Sequence, residues 1–140
     1  VEALVEAAHR HYDDADVVRE VADALNNLSH GDDVAVAVAQ KGGIEVLVDG
    51  RARHKDDVRV VQSLVGTLWG LSVHDAIVPQ LIQLGGAHAL ISASKAHLAE
   101  PDMQAAVAAA LRNLAVDENQ QCAIAEMGGI DCLIGAAGRH

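Results

Sequence analysis

The sequence repeats with a period of 43 residues. Pairs of glycines stand at 42–43, 85–86 and 128–129, so both intervals are 43 residues. The hexads ALNNLS, TLWGLS and ALRNLA begin at 24, 67 and 110, with the same spacing and no gap. A fixed period of this length is the signature of arrays in which each unit buries its apolar face only against a neighbour. The period therefore predicts a repeat fold.

Each unit reads as three helices. Hydrophobic residues make up 51% of the chain but aromatic residues only 1%, which predicts an aliphatic core. Ala and Leu favour helix, and period-two runs typical of strands are absent. Val107, Leu111 and Leu114 fall on one helical face. The sequence predicts helices near 1–10, 15–29, 33–41, 44–53, 58–73, 76–84, 87–98, 101–115, 119–127 and 130–138.

Local signals mark where these helices begin and end. Asp14 and Asp57 are predicted N-caps, and Pro101 is a first-turn proline. The first glycine of each pair is expected to adopt a left-handed conformation after a helix end. The second glycine is expected to let two helices meet closely at a corner.

The register divides the chain into four segments. Residues 32–74 and 75–117 form complete units, while 1–31 and 118–140 form partial units at the two ends. Neither end carries the polar face that caps a repeat array. The chain is therefore interpreted as a piece of a longer solenoid, or as one whose uncapped ends self-associate.

These residues resemble armadillo repeats, whose unit has three helices, a GGI or GAL corner and an A-L-x-N-L-A motif in the long third helix. The motif appears as ALNNLS and ALRNLA, and as TLWGLS with the asparagine lost. NQQCAIAEMGGIDCLI resembles the first two helices, and the likeness covers the whole chain; HEAT repeats are the nearest alternative. The resemblance implies an all-α, right-handed solenoid of three-helix repeats that binds a protein or peptide partner.

The resemblance also implies where binding occurs. In armadillo proteins the third helices line a concave groove and the motif asparagine points into it, which carries over to Asn27 and Asn113, with Gly70 interrupting the series. An amide offers donors and an acceptor to an extended peptide backbone. The neighbouring groove candidates are Arg19, Asp23, Asn26, Gln62, Trp69 and Arg112. The tryptophans of importin-alpha-type grooves are absent, because Asp23, Gly66 and Ala109 occupy those positions.

Trp69 has two interpretations. It is either an aromatic anchor in a groove widened by Gly66 and Gly70, or it packs across the next long helix through a close approach that the glycines allow. Aromatic anchors dominate many binding surfaces, and each glycine costs about 1 kcal/mol of helix stability relative to alanine.

Charge and composition narrow the partner class. A net charge of −10 argues against nucleic acid and against an anionic membrane surface, and favours a partner with basic character. No apolar run reaches the roughly 18–20 residues of a membrane span. Cys122 and Cys132 read as buried apolar thiols of a reducing compartment, which indicates the cytoplasm, with the nucleus as the alternative.

No motif predicts catalysis, a cofactor or a metal site. His11, His54, His97 and His140 recur at the repeat period, but equivalent positions of stacked helices lie roughly 10 Å apart, too far to share one zinc ion. They are predicted to end second helices and to cap carbonyl groups. The alternatives to a binding module are a purely structural segment of a larger scaffold and, less favoured, a histidine-based metal or catalytic site.

Overall fold

The computed structural model describes residues 1–116, 118–126 and 128. Every regular element in this part of the chain is helical, which confirms the all-α prediction. The elements are α1 (Glu2–Arg10), α2 (Ala15–Leu28), α3 (Asp32–Gln40), α4 (Gly43–Arg53), α5 (Val58–Ser72), a short 3-10 helix (Asp75–Ile77), α6 (Val78–Gln83), α7 (Gly86–Ala96), α8 (Pro101–Leu114) and α9 (Glu118–Glu126).

The predicted helices agree with these bounds to within two residues. The one internal difference is the predicted helix 76–84, which is a 3-10 turn followed by α6. Pro79 lies in the first turn of α6, where a residue without an N–H is tolerated. The predicted helix 130–138, together with Cys132 and His140, lies outside the described residues.

The capping signals act as predicted. The Asp14 carboxylate accepts hydrogen bonds from the backbone N–H groups of Asp16 and Val17, at 3.0 and 3.3 Å. Asp57 does the same for Arg59 and Val60, at 3.1 and 3.3 Å. In α8, Pro101 is the first helical residue, as predicted. Three of the long-helix starts are therefore explained by single local residues.

The glycine pairs at 42–43 and 85–86 form the corners between a short helix and the second helix that follows it, while Gly129 of the third pair lies outside the described residues. Gly42, Gly85 and Gly128 have φ of 90°, 94° and 89°, the left-handed region that glycine enters without steric cost. At the second glycine a side chain would collide with the backbone, because a Cβ on Gly43 would lie 2.8 Å from the Val38 carbonyl oxygen. At Gly86 the corresponding distance to the Leu81 oxygen is 2.7 Å. Both predicted roles are confirmed for the first two pairs, and the left-handed conformation is confirmed for Gly128 as well.

Equivalent helices of successive units pack against each other. The long helix α5 contacts both α2 and α8, and the second helix α4 contacts both α1 and α7. Between these two series runs one continuous core of Val, Leu, Ile and Ala with a single methionine, Met103. The fully buried members include Leu25, Leu47, Leu68 and Leu111. The aliphatic core predicted from the composition is confirmed.

Candidate binding surface on the long helices

We call the part of the long helices α2, α5 and α8 that bears the candidate residues the long-helix face. It is defined by the eight residues proposed from the sequence, each of which is exposed or half-buried: Arg19, Asp23, Asn26, Asn27, Gln62, Trp69, Arg112 and Asn113. Four of them, Arg19, Asp23, Asn26 and Gln62, line a single shallow cavity of about 570 Å³ between α2 and α5. The structure thus brings half of the candidate residues into one place.

Four further residues complete this cavity, here called the α2–α5 cavity: Glu20, Arg59, Ser63 and Gly66. Arg59 was not predicted from the sequence. It lies one turn before Gln62 and Ser63 on the same helix, and that i, i+3 and i+4 spacing was the signal that could have identified it.

Among the described residues, the charged side chains of the cavity form only long ion pairs. The Arg19 guanidinium lies 3.6 Å from the Asp16 carboxylate and 3.8 Å from that of Glu20, longer than a direct hydrogen bond. Arg59 makes no ion pair with any residue of the described chain. Cations of α2 and α5 therefore stand beside the carboxylates of Glu20 and Asp23, and both signs are accessible to a ligand.

The two glycines of α5 have different roles. A Cβ on Gly66 would meet no atom within 4 Å, so no neighbouring group requires a glycine there. A Cβ on Gly70 would lie 2.5 Å from Oδ1 of Asn26, so this glycine makes room for the Asn26 side chain from α2. Gly70 therefore allows a close approach, but to the preceding long helix α2 and not to the next one, as the second interpretation expected. Gly66 allows no close approach and forms an open part of the cavity wall.

The two motif asparagines are not equivalent. Asn27 is exposed and has no protein hydrogen-bond partner within the described residues. Asn113 is half-buried, and its Nδ2 donates to Oγ of Ser72 in the preceding unit at 3.1 Å. One of the two N–H donors of the Asn113 amide is therefore already used within the chain, unlike those of Asn27. The structural reason is that Ser72, at the end of α5, lies within its reach.

Apolar side chains lie toward the C-terminal ends of α5 and α8. Trp69 is 42% exposed, Val73 58% and Val116 53%. Trp69 and Val73 are one turn apart, and Val116 occupies the position of Val73 one unit later. Arg112, exposed on α8, occupies the position of Trp69. Trp69 is thus only partly covered, so it has open area to offer a partner.

Histidines join successive units through backbone carbonyls. His11, His54 and His97 end α1, α4 and α7, as predicted. The Nε2 atoms of His54 and His97 lie 2.7 and 2.8 Å from the carbonyl oxygens of Tyr12 and Lys55, which belong to the turn of the preceding unit. His54 and His97 thus contact a carbonyl, as predicted, but one in the turn of the preceding unit and not at the end of their own helix.

A second inter-unit contact was not predicted. His74 is 6% exposed, and its Nδ1 faces the Asp32 carboxylate of its own unit while its Nε2 faces the Ser29 carbonyl of the preceding unit. Within the described chain, no three His, Cys, Asp or Glu side chains converge as metal ligands.

Cys122 is exposed on α9, so its predicted burial is wrong. The hydrophobic pattern around Cys122 does not show which face of α9 packs against α8.

No described helix is by itself both long and apolar enough to cross a bilayer; only the bent pair Asp75–Gln83 and Gly86–Ala96 passes that test when counted together. Comparison of the chain with protein-family models, with curated proteins and with solved structures finds no significant match in any of the three. The candidate function therefore depends on the geometry of the chain itself.

Proposed function

We propose that the chain is a right-handed, armadillo-type α-solenoid that binds an extended segment or a helix of a partner protein along its long-helix face, without catalysing a reaction. The fold part of the proposal is supported by the 43-residue register and by the equivalent packing of α2, α5 and α8 on one side and α1, α4 and α7 on the other. Stacked units of this kind present extended binding surfaces.

The observation that carries the functional part is the glycine in the cavity wall. Gly66 lies inside α5, where glycine costs about 1 kcal/mol of helix stability relative to alanine. No neighbouring group requires the absence of a side chain at Gly66, since a Cβ there would meet nothing within 4 Å. A glycine at this position leaves the α2–α5 cavity wider, which makes room for a ligand.

The polar lining suits an extended peptide. The side-chain amides of Asn26 and Gln62 border the cavity from opposite helices and have no protein hydrogen-bond partners in the described chain. They can therefore donate to and accept from the backbone of a bound segment. Glu20 and Asp23 add negative charge for a basic residue of the partner, in keeping with the net charge of −10.

The neighbouring apolar end supplies an anchor. Trp69, Val73 and Val116 are exposed, and Arg112, the counterpart of Trp69 on α8, is exposed as well. A partner segment with a basic residue over α2 and an apolar residue over Trp69 would use both regions at once. Partly exposed tryptophans are frequent among the residues that dominate binding energy.

Selection of a displayed library of random linear peptides against the whole chain tests this proposal. We expect selected peptides to combine basic and apolar residues and to change the fluorescence of Trp69, the single tryptophan. Gly66→Leu should leave the chain folded, because its Cβ is unobstructed and leucine favours helix, and should weaken peptide binding at least tenfold by occupying the cavity.

The matched control is Ala52→Leu, which adds the same side chain at an exposed position of α4 outside the α2–α5 cavity. It should leave the affinity unchanged. If selected peptides bind Gly66→Leu as well as the parent chain, the long-helix face is not the binding surface and the proposal is wrong.

A further inference from the structure

A second cavity, of about 430 Å³, lies between α1, α4 and the start of α2. We call it the α1–α4 cleft; it shares no lining residue with the α2–α5 cavity. Its inner wall consists of the small or apolar residues Ala8, Val18, Val46 and Gly50, all buried. The cleft is thus an apolar recess bordered by exposed polar residues.

The repeat shows what occupies the same place in the other units. The counterparts of Ala8 are Arg51 and Ser94, and the counterparts of Val18 are Val61 and Gln104. In the second unit, Arg51 is partly buried and its Nε is shielded from solvent without a hydrogen-bond partner in the described chain. A long cationic side chain therefore stands where the first unit has only a methyl group.

In the third unit the counterpart of Val18 is a buried polar side chain, Gln104. Gln104 is 2% exposed, and its Nε2 donates to the carbonyl oxygens of Ser94 and His97 at 3.1 and 2.9 Å. Its Oε1 accepts from Oγ of Ser94 at 2.6 Å. Each later unit thus has a long polar side chain, Arg51 or Gln104, at a position where the first unit has Ala8 or Val18.

The border of the cleft carries two carboxylates, Glu45 and Asp49, and two basic side chains, Arg53 and His9. Arg53 donates from Nε to Asp49 at 2.8 Å, a bond that raises the pKa of Arg53, and its guanidinium lies 4.0 Å from the centre of the Tyr12 ring. Asp49 is therefore already paired. Glu45, on the same helix one turn earlier, has no cation partner among the described residues.

The register explains why Glu45 is unpaired. Its counterpart Glu2 forms an ion pair with Lys41 at 3.0 Å. The residue equivalent to Lys41 one unit later is Leu84, which cannot supply a charge. An accessible carboxylate therefore stands at the mouth of an apolar recess.

We propose that the α1–α4 cleft binds an arginine side chain of a partner protein. The methylene groups would lie against Ala8, Val18 and Val46, and the guanidinium would pair with Glu45, in a place where the next unit carries Arg51. Arginine suits this site because its apolar stem packs while its planar head pairs with a carboxylate. The net charge of −10 favours the approach of a basic partner.

The test uses N-acetyl-arginine amide as the probe and ¹⁵N–¹H spectra of the whole chain as the readout. We expect saturable shifts at the backbone amides of Glu45, Val46 and Gly50. N-acetyl-citrulline amide, which has nearly the same shape without the charge, should bind several-fold more weakly. Equal binding of the two probes, or shifts confined to α5 and α8, would overturn the proposal.

Two variants sharpen the test. Ala8→Arg places in the first unit the residue that the second unit carries and should abolish the shifts. Glu45→Gln, which keeps the size of the side chain, should weaken binding about threefold, the scale of an exposed ion pair. The matched control, Glu20→Gln in the α2–α5 cavity, should change nothing. Unaltered binding by Glu45→Gln contradicts the proposal even if Ala8→Arg fails to fold, and neither result bears on peptide binding at the long-helix face.

Discussion

Leu28 and Leu71 occupy the same position of the 43-residue register but lie in different environments. Leu28, at the end of α2, is 47% exposed, whereas Leu71 of α5 is 0% exposed and its next counterpart, Leu114, is 1% exposed. Leu71 lies on the face of α5 that packs against α2. Thr67, one turn earlier on that face, donates from Oγ1 to the Ala22 carbonyl oxygen of α2 at 2.8 Å. On the corresponding side of α2 the described chain places no helix.

The same difference recurs along this end of the molecule. Leu4 is half-buried while its counterparts Leu47 and Leu90 are 0% and 1% exposed. An apolar cavity of about 460 Å³ opens beside Leu4 and Val17. Identical residues in identical local structure thus differ in burial according to whether a preceding unit covers them. Burial in this fold is supplied by neighbours, and the following predictions test that dependence.

The largest expected effect concerns the leucine pair. Leu71→Ala should lower the free energy of unfolding by about 2–5 kcal/mol, because it removes buried methyl groups and leaves a cavity. Leu28→Ala should lower it by only about 0.5 kcal/mol, as is usual for exposed positions. Urea denaturation monitored by circular dichroism measures both. Equal losses for the two variants would show that the burial difference has no energetic consequence.

Features set by a few neighbouring residues could be predicted from the sequence. The helix bounds, the N-caps Asp14 and Asp57 and the left-handed Gly42 and Gly85 all follow from signals within one turn of the residue concerned. The resemblance to armadillo repeats implied that Arg19, Asp23, Asn26 and Gln62 share one surface, and these four residues do line one cavity.

Features that depend on the distance between units could not be predicted. The bond of Asn113 to Ser72 and the room that Gly70 gives Asn26 each join residues 41 or more positions apart. The histidine bonds to Tyr12 and Lys55 also cross from one unit to the next. Helical periodicity gives the direction of a side chain but not its distance from the adjacent helix, so these contacts needed the structure.

The second prediction concerns the N-caps, which should not depend on neighbouring units. Asp14 and Asp57 accept from the same relative positions at nearly the same distances, although Asp14 belongs to the sparsely covered first unit. Asp14→Ala and Asp57→Ala should therefore each cost about 1 kcal/mol. Urea midpoints give the two values, and Asp14→Asn and Asp57→Asn serve as controls that retain the capping oxygen. A cost twice as large at Asp57 would mean that capping, too, depends on the neighbouring unit.

The smallest expected effect distinguishes Glu2 from Glu45. The hydrogen bond and charge of Lys41 lower the pKa of Glu2, so its ionised form is favoured in the folded chain. The resulting stability is present above the pKa of an unfolded glutamate, about 4.3, and is lost as the pH falls through the lower folded value.

Glu2→Gln should therefore reduce the thermal midpoint slightly at pH 7 and not at all once the carboxylate is protonated. Glu45→Gln is the matched control, because Leu84 stands where Lys41 would be and the variant removes a carboxylate without breaking a lysine pair. High salt should shrink the Glu2 effect, because the pair is exposed. A Glu2→Gln loss that persists in acid would show that the side chain stabilises α1 by packing and not through its charge.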